Sequence, residues 1–107
     1  MTGGTIHKHM FNVGPVEIDF NSRIVRRHGS TVHLSRLEFD LLAALSSPVG
    51  MIVTRDELLD RLWSGRPVAD SRTLDTHIRR LRLKLEADPS RPRHLVTIRG
   101  VGFRLDP

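Results

Sequence analysis

Residues Arg72 to Leu85, RTLDTHIRRLRLKL, have the spacing of an amphipathic helix. At 100° per residue one stripe of this helix is apolar, formed by Leu74, Ile78, Leu81 and Leu85. The opposite side carries no carboxylate and consists of Arg72, Thr73, Thr76, Arg79, Arg80 and Leu83. A solvated helix face usually mixes acids with bases, so this pattern favours a face that meets a polyanion. An ordinary charged surface helix is the alternative interpretation.

The positive charge of the chain is concentrated around this helix. The 107 residues include 17 Lys and Arg against 12 Asp and Glu, and the pI is about 11.2. Residues 66–104 hold ten of these bases and four of these acids, whereas the remainder holds seven bases and eight acids. The balance favours an acidic partner, which is a nucleic acid, an anionic membrane surface or an acidic protein.

The length and composition predict a single domain. A chain of 107 residues can bury one small core. It has no cysteine, which excludes a disulfide or a thiolate metal site and is compatible with a reducing compartment. No apolar run approaches the ~18 residues of a membrane span, and no signal-peptide core is present. We therefore expect a soluble cytoplasmic protein.

The first nine residues predict a flexible arm or linker, and the domain itself is expected over residues 10–107. Two adjacent glycines and the lack of periodicity are typical of unstructured chain. His7 and His9 are weak metal candidates, because no third ligand follows at a recognisable spacing. We expect no metal and no other cofactor.

Residues 10–34 predict a four-stranded antiparallel sheet. Short apolar runs are interrupted at Gly14-Pro15, Asn21-Ser22 and Gly29-Ser30. Between the first two breaks, Val16, Ile18 and Phe20 alternate with acids, which is the pattern of a half-buried strand. Asn21-Ser22 is short enough for a tight hairpin turn.

Two capping boxes predict the starts of two helices, at Ser35 to Glu38 and at Thr54 to Glu57. Residues 51–53 between these helices could form a short strand. Asp70 or Ser71 can cap the basic helix. That helix is expected to end near Glu86, because the Asp88-Pro89 pair that follows opposes α geometry.

The last stretch, HLVTIRGVGFRL over residues 94–105, predicts two strands around a turn that presents Arg99. Two capped helices, a basic helix and a terminal hairpin make an α+β winged helix-turn-helix, with the hairpin as the wing. The order suits DNA, because the major groove, ~12 Å wide, admits one helix and the narrower minor groove accepts an arginine.

Four segments resemble the effector domain of OmpR/PhoB-type response regulators. They are LSRLEFDLL over 34–42, TRDELL over 54–59, RTLDTHIRRLR over 72–82 and TIRGVGFR over 97–104. The resemblance covers about residue 10 to the end. It implies sequence-specific binding to double-stranded DNA for transcription regulation, as head-to-tail pairs on direct repeats.

The family's effector domain usually follows a phosphorylatable receiver domain, which this sequence does not contain. The sequence is expected to be either the C-terminal domain of a longer two-component regulator or a member of the minority that carries the winged helix alone or fused to something else.

The resemblance also implies roles for individual residues. The residues implied to approach bases in the major groove are Asp75, Thr76, Arg79 and Arg80, and Arg99 resembles the minor-groove arginine. The residues implied to contact phosphates are Arg72, Thr73 and Arg82, and Trp63 and Thr97 are implied to make further contacts to the DNA backbone. The loop 64–71 resembles the segment through which such activators meet RNA polymerase.

Three positions depart from the family pattern. Thr76 stands where a valine is frequent, and Phe103 replaces a frequent tyrosine, so a phosphate contact through a phenol is not available. Leu83 occupies a position where a charged residue is usual. It is expected to pack on the wing or on a neighbouring protomer.

Other classes of function fit less well. A catalytic triad of Ser71, Asp75 and His77 conflicts with helical geometry, because His77 lies near the packed side, so we expect no enzyme. Gly100 to Gly102 is a hairpin turn and not a phosphate loop, since no helix follows it. A membrane-surface helix is disfavoured because the core needs its apolar stripe. The serious alternative is a winged helix that docks an acidic protein.

Overall fold

The structure is a computed structural model that describes residues 10–46, 49–63 and 71–107. It contains seven strands and three helices within these ranges. Their bounds are β1 Met10–Val13, β2 Val16–Asp19, β3 Ile24–Arg27, β4 Ser30–Val32, α1 Arg36–Leu45, β5 Val53–Thr54, α2 Arg55–Trp63, α3 Ser71–Leu85, β6 Leu95–Ile98 and β7 Gly102–Leu105. None of the helices in these ranges is long and apolar enough to cross a membrane.

The N-terminal sheet is antiparallel and has the order β1-β2-β3-β4, as predicted. Val16 and Ile18 are buried while Glu17 between them is exposed, which confirms the alternation. The hairpin predicted at Asn21-Ser22 is confirmed, and its turn has four residues. Asp19 pairs with Ile24 across this turn, and the Asp19 carboxylate accepts hydrogen bonds from the N–H groups of residues 21 and 22.

Both predicted capping boxes are present. In the first, the Ser35 hydroxyl accepts from the Glu38 N–H at 3.1 Å and the Glu38 carboxylate accepts from the Ser35 N–H at 3.0 Å. In the second, Thr54 and Glu57 exchange the same two bonds at 3.1 and 3.0 Å. Helix α3 begins at Ser71, so the N-cap position falls on residue 70, outside the described residues.

The C-terminal hairpin gains a third strand. Residues 51–53 were a candidate strand, and β5 shares only Val53 with that prediction: Val53 pairs with Phe103 and Thr54 with Gly102. The sheet has the order β5-β7-β6, which joins the wing directly to the residue that caps α2. The predicted winged helix-turn-helix is confirmed, with the wing anchored on the helical part.

One core holds these layers together. The apolar stripe of α3 is fully buried and packs on α1 and α2. The sheets contribute Val16, Ile18, Leu95, Phe103 and Leu105 to the same cluster. The outward face of α3 is therefore set by the burial of its inward face, since rotating the helix would expose four large apolar side chains.

Candidate nucleic-acid interface

Helix α3 presents its basic face to solvent. The exposed residues of this face are Arg72, Thr76, Arg79, Arg80 and Leu83. Thr73, on the same side, is partly buried. The Thr76 hydroxyl donates to the Arg72 carbonyl at 2.9 Å, so its oxygen remains available as an acceptor. The arrangement offers three guanidinium groups along one exposed surface.

Asp75 lies on the flank of this face and is already paired. An Arg55 amino group donates to its carboxylate at 2.8 Å, and the Arg55 guanidinium lies 5.4 Å from the centre of the Phe103 ring. Arg55 thereby connects the first residue of α2, the second turn of α3 and the wing strand β7. Because Asp75 is bound in this way, its charge does not repel an anion approaching α3 as a free carboxylate would.

Arg82 and Thr97, two predicted phosphate contacts, contact each other. Arg82 Nε donates to the Leu95 carbonyl at 2.9 Å, and an Arg82 amino group donates to the Thr97 hydroxyl at 2.7 Å. Burial lowers the pKa of Arg82, although the charges of Glu86 and Asp75 oppose that shift. Arg82 holds β6 against α3. Its remaining N–H groups and the Thr97 hydroxyl hydrogen are the donors left for a phosphate.

Trp63, the last residue of α2, has a packing role. Its ring meets the His77 ring edge-on, with centroids 5.9 Å apart, and is partly buried. His77 Nδ1 lies 2.7 Å from the Thr73 carbonyl, which accepts, so this nitrogen carries the proton. His77 is therefore part of the packing between α2 and α3.

The wing tip carries Arg99 in a three-residue turn. Ile98 pairs with Gly102 across it, the Val101 N–H donates to the Ile98 carbonyl at 2.9 Å, and Gly100 adopts a φ of 76°. Arg99 is exposed at this tip. The turn faces the start of α2, where residues 54–56 line a shallow cavity together with residues 100 and 101.

Glu86 was not predicted as an important residue, yet it organises the start of the wing. Its buried carboxylate accepts from the backbone N–H groups of Arg93, His94 and Leu95 at 2.9, 3.0 and 2.7 Å. The residue is 3% exposed. The only sequence signal was an acid at the end of a basic helix, and acids at helix ends are usually solvated.

A second missed pair links α3 to α1. Lys84 Nζ donates to the buried Glu38 carboxylate at 2.6 Å and to the His33 carbonyl at 2.8 Å. Burial by itself would raise the pKa of Glu38, but the hydrogen bonds from Lys84 and Ser35 outweigh that effect and leave the pKa below the ordinary 4.5. Glu38 thus stabilises the fold as a carboxylate.

Removing Lys84 should change how stability depends on pH. With a lowered Glu38 pKa in the folded state, this contribution is complete above pH 4.5 and is lost as the pH falls through the lowered pKa. We expect Lys84→Met to cost about 1–2 kcal/mol near neutral pH, because a buried carboxylate loses its charged donor. As the pH falls below 4.5, the variant should lose less stability than the wild type or should become more stable.

Urea unfolding from pH 3 to 7 measures this difference. The control is Lys8→Met, outside the described residues. Parallel stability curves for the wild type and Lys84→Met would contradict the assigned role of Lys84.

Several expectations fall outside the described residues. They concern the arm of residues 1–9 with its two histidines, and the part of the proposed polymerase loop from residue 64 to 70. Among the residues that the structure does describe, no group of three His, Asp or Glu side chains could hold a metal ion.

Comparison with known proteins agrees with this geometry. Residues 29–105 match the family described as "Transcriptional regulatory protein, C terminal". The sensory transduction protein RegX3 of Mycobacterium tuberculosis is 47% identical over 93 residues, which cover 87% of this chain and 41% of RegX3. The chain therefore spans less than half the length of this curated relative.

Two solved structures share the fold. The response regulator DrrB of Thermotoga maritima, an OmpR/PhoB homologue, superposes with a TM-score of 0.86 at 36% identity, over 94% of this chain and 45% of DrrB. The RstA DNA-binding domain of Klebsiella pneumoniae, solved in complex with the RstA box, gives a TM-score of 0.80 at 34% identity, over 92% and 97% of the two chains. With its capped helices, basic α3 and anchored wing, this chain belongs to the transcriptional regulatory protein C-terminal family, as an OmpR/PhoB-type effector domain.

Proposed function

We propose that this domain binds double-stranded DNA at specific sequences and regulates transcription as the effector part of a two-component response regulator. The observation that carries the proposal is the face of α3, where Arg72, Arg79 and Arg80 are exposed and no acid intervenes. A helix of this kind fits the major groove, whose base edges offer acceptors to guanidinium groups. The RstA domain, which shares the fold, was solved bound to its DNA box.

Within this proposal, Thr76, Arg79 and Arg80 approach base edges, while Arg72 and Thr73 contact phosphates near the start of α3. Asp75 can accept from a base while it keeps its ion pair with Arg55, or by exchanging that partner for the base. Arg82 and Thr97 act as a hydrogen-bonded unit, since one donates to the other. The partly buried Trp63 ring offers its indole N–H to the DNA phosphate backbone.

Arg99 is assigned to the minor groove. Its place at an exposed three-residue tip suits insertion, and a narrow A·T-rich minor groove concentrates negative potential around a guanidinium. The anchoring of β7 on β5 supports this role, because it limits the positions that the tip can adopt relative to α3.

We further propose head-to-tail pairs on direct repeats and contact with RNA polymerase through the loop 64–71. The family relationship supports both.

Selection of bound sequences from a random DNA library tests the function. DNA binding predicts one enriched half-site, repeated in the same orientation, and an affinity that falls linearly with salt on logarithmic axes. An inverted repeat would contradict the tandem arrangement. Binding without sequence preference would instead favour the docking of an acidic protein.

Arg80→Lys should relax the preference at one base pair. Lysine keeps the charge but loses the planar fork that can donate twice to guanine, a contact that discriminates by roughly 1–3 kcal/mol. Non-specific affinity and the salt slope should stay nearly unchanged. Titration of the selected site and each single-base variant measures the effect. The matched control is Arg26→Lys, an exposed arginine on β3, which should leave every preference intact.

A further inference from the structure

Leu83 is an exposed leucine on the basic face of α3. The residue is 59% exposed, whereas the three leucines and the isoleucine of the inward stripe are buried. Leu83 follows Thr76 by seven residues, which is two helical turns, so the two side chains leave α3 within about 20° of each other. Leu83 therefore points in the same direction as the residues assigned to base edges.

Leu83 lines a shallow surface concavity together with Arg79, Arg82, Pro89 and Ser90. The large exposed fraction shows that Leu83 is not packed on the wing, which was one of the two expectations. Its position between two arginines means that any polyanion bound by them also approaches Leu83.

Building on the DNA binding proposed above, we propose that Leu83 recognises a thymine through its C5 methyl group. This methyl is the apolar group on the major-groove edges of the base pairs. A leucine that meets it removes apolar surface of both partners from water. The arginines on either side cannot make that contact, because guanidinium groups seek acceptors.

The helix geometry also limits the position of this thymine. Seven residues of α helix extend about 10.5 Å, and base pairs repeat every ~3.4 Å along the DNA axis, so Leu83 reaches at most about three base pairs beyond the pair that faces Thr76. The selected half-site should contain a thymine within that distance.

The test removes one methyl group at a time from the DNA. Each thymine of the selected site is replaced by deoxyuridine, which pairs identically but lacks the C5 methyl. We expect one such replacement to weaken the wild type about three- to fivefold. Leu83→Ala should bind the thymine and deoxyuridine sites equally, whereas Leu83→Met should keep part of the difference. Thermal unfolding of each variant checks that α3 is intact.

Three outcomes would overturn the proposal, and they differ from one another. If Leu83→Ala keeps the full methyl dependence, another residue reads the thymine. If it reduces only the cooperative filling of a doubled site and leaves a single half-site unaffected, Leu83 contacts a neighbouring protomer. If the wild type shows no sequence preference at all, the proposed function itself fails.

Discussion

Replacing Glu86 by alanine should lower the free energy of unfolding by about 2–3 kcal/mol, because three backbone N–H groups, one buried at Leu95 and two partly buried at Arg93 and His94, lose their common acceptor. For a domain of this size, such a loss lowers the unfolding midpoint by roughly 8–24 °C. Glu86→Gln should be nearly as harmful. Its amide keeps one acceptor oxygen and turns an NH2 group towards backbone donors.

Hydrogen exchange can locate the part of the structure that the Glu86 variants destabilise. In Glu86→Gln the amides of residues 93–95 should exchange with solvent much faster than in the wild type, while those of α1 stay protected. The matched control is Asp88→Ala, two residues further along the same loop. Its exposed carboxylate accepts from the Ser90 hydroxyl and N–H at 2.6 and 3.1 Å and from the Arg91 N–H, and because these groups lie at the surface the control should cost little. Equal destabilisation by Glu86→Ala and Asp88→Ala would contradict the account.

Gly102→Ala should detach the wing from the helical part and cost about 2–3 kcal/mol, within the upper range for overpacked sites. A Cβ at residue 102 would lie 2.1 Å from the Val53 carbonyl oxygen and 2.7 Å from the Thr54 Cα. Both neighbours are backbone atoms of β5, so no side chain can rotate away. The strand pairing of β5 with β7 must open instead.

This change should also reduce DNA affinity, since Arg99 would lose its set position relative to α3. Gly29→Asn is the control, because nothing lies within 4 Å of a Cβ at residue 29, the β3–β4 turn lies outside the wing, and asparagine adopts a positive φ more readily than other residues with a side chain. Thermal unfolding and titration with the selected site measure both effects. An unchanged midpoint and affinity for Gly102→Ala would show that the β5–β7 contact does not position the wing.

The Glu86 and Gly102 variants both test how the wing is attached to the helical part of the domain. Glu86 orders the residues that lead into β6, and Gly102 allows β7 to approach β5. Arg82 adds the contact between β6 and α3. The wing is therefore held at three places. If Arg99 at its tip is to enter the minor groove while α3 lies in the major groove, the wing must keep a fixed position relative to α3.

Local chemistry made much of this fold predictable from the sequence. The capping boxes at Ser35 and Thr54 are interactions between residues three apart, so reading them needs no knowledge of distant segments. The apolar stripe of α3 and the alternation around Ile18 depend only on the period of each element. The basic face of α3 followed from the same periodicity, because the side opposite a buried stripe must face outward.

Only the tertiary structure decided which polar side chains meet across the molecule. The pairs Arg55 with Asp75 and Lys84 with Glu38 join residues 20 and 46 positions apart, and no local pattern distinguishes them from solvated charges. The same holds for the carboxylate of Glu86, whose three partners come from a loop without periodicity. Helical and strand periods specify which face is buried, whereas the partner of a charge depends on how the elements pack, and that packing set the wing against α3.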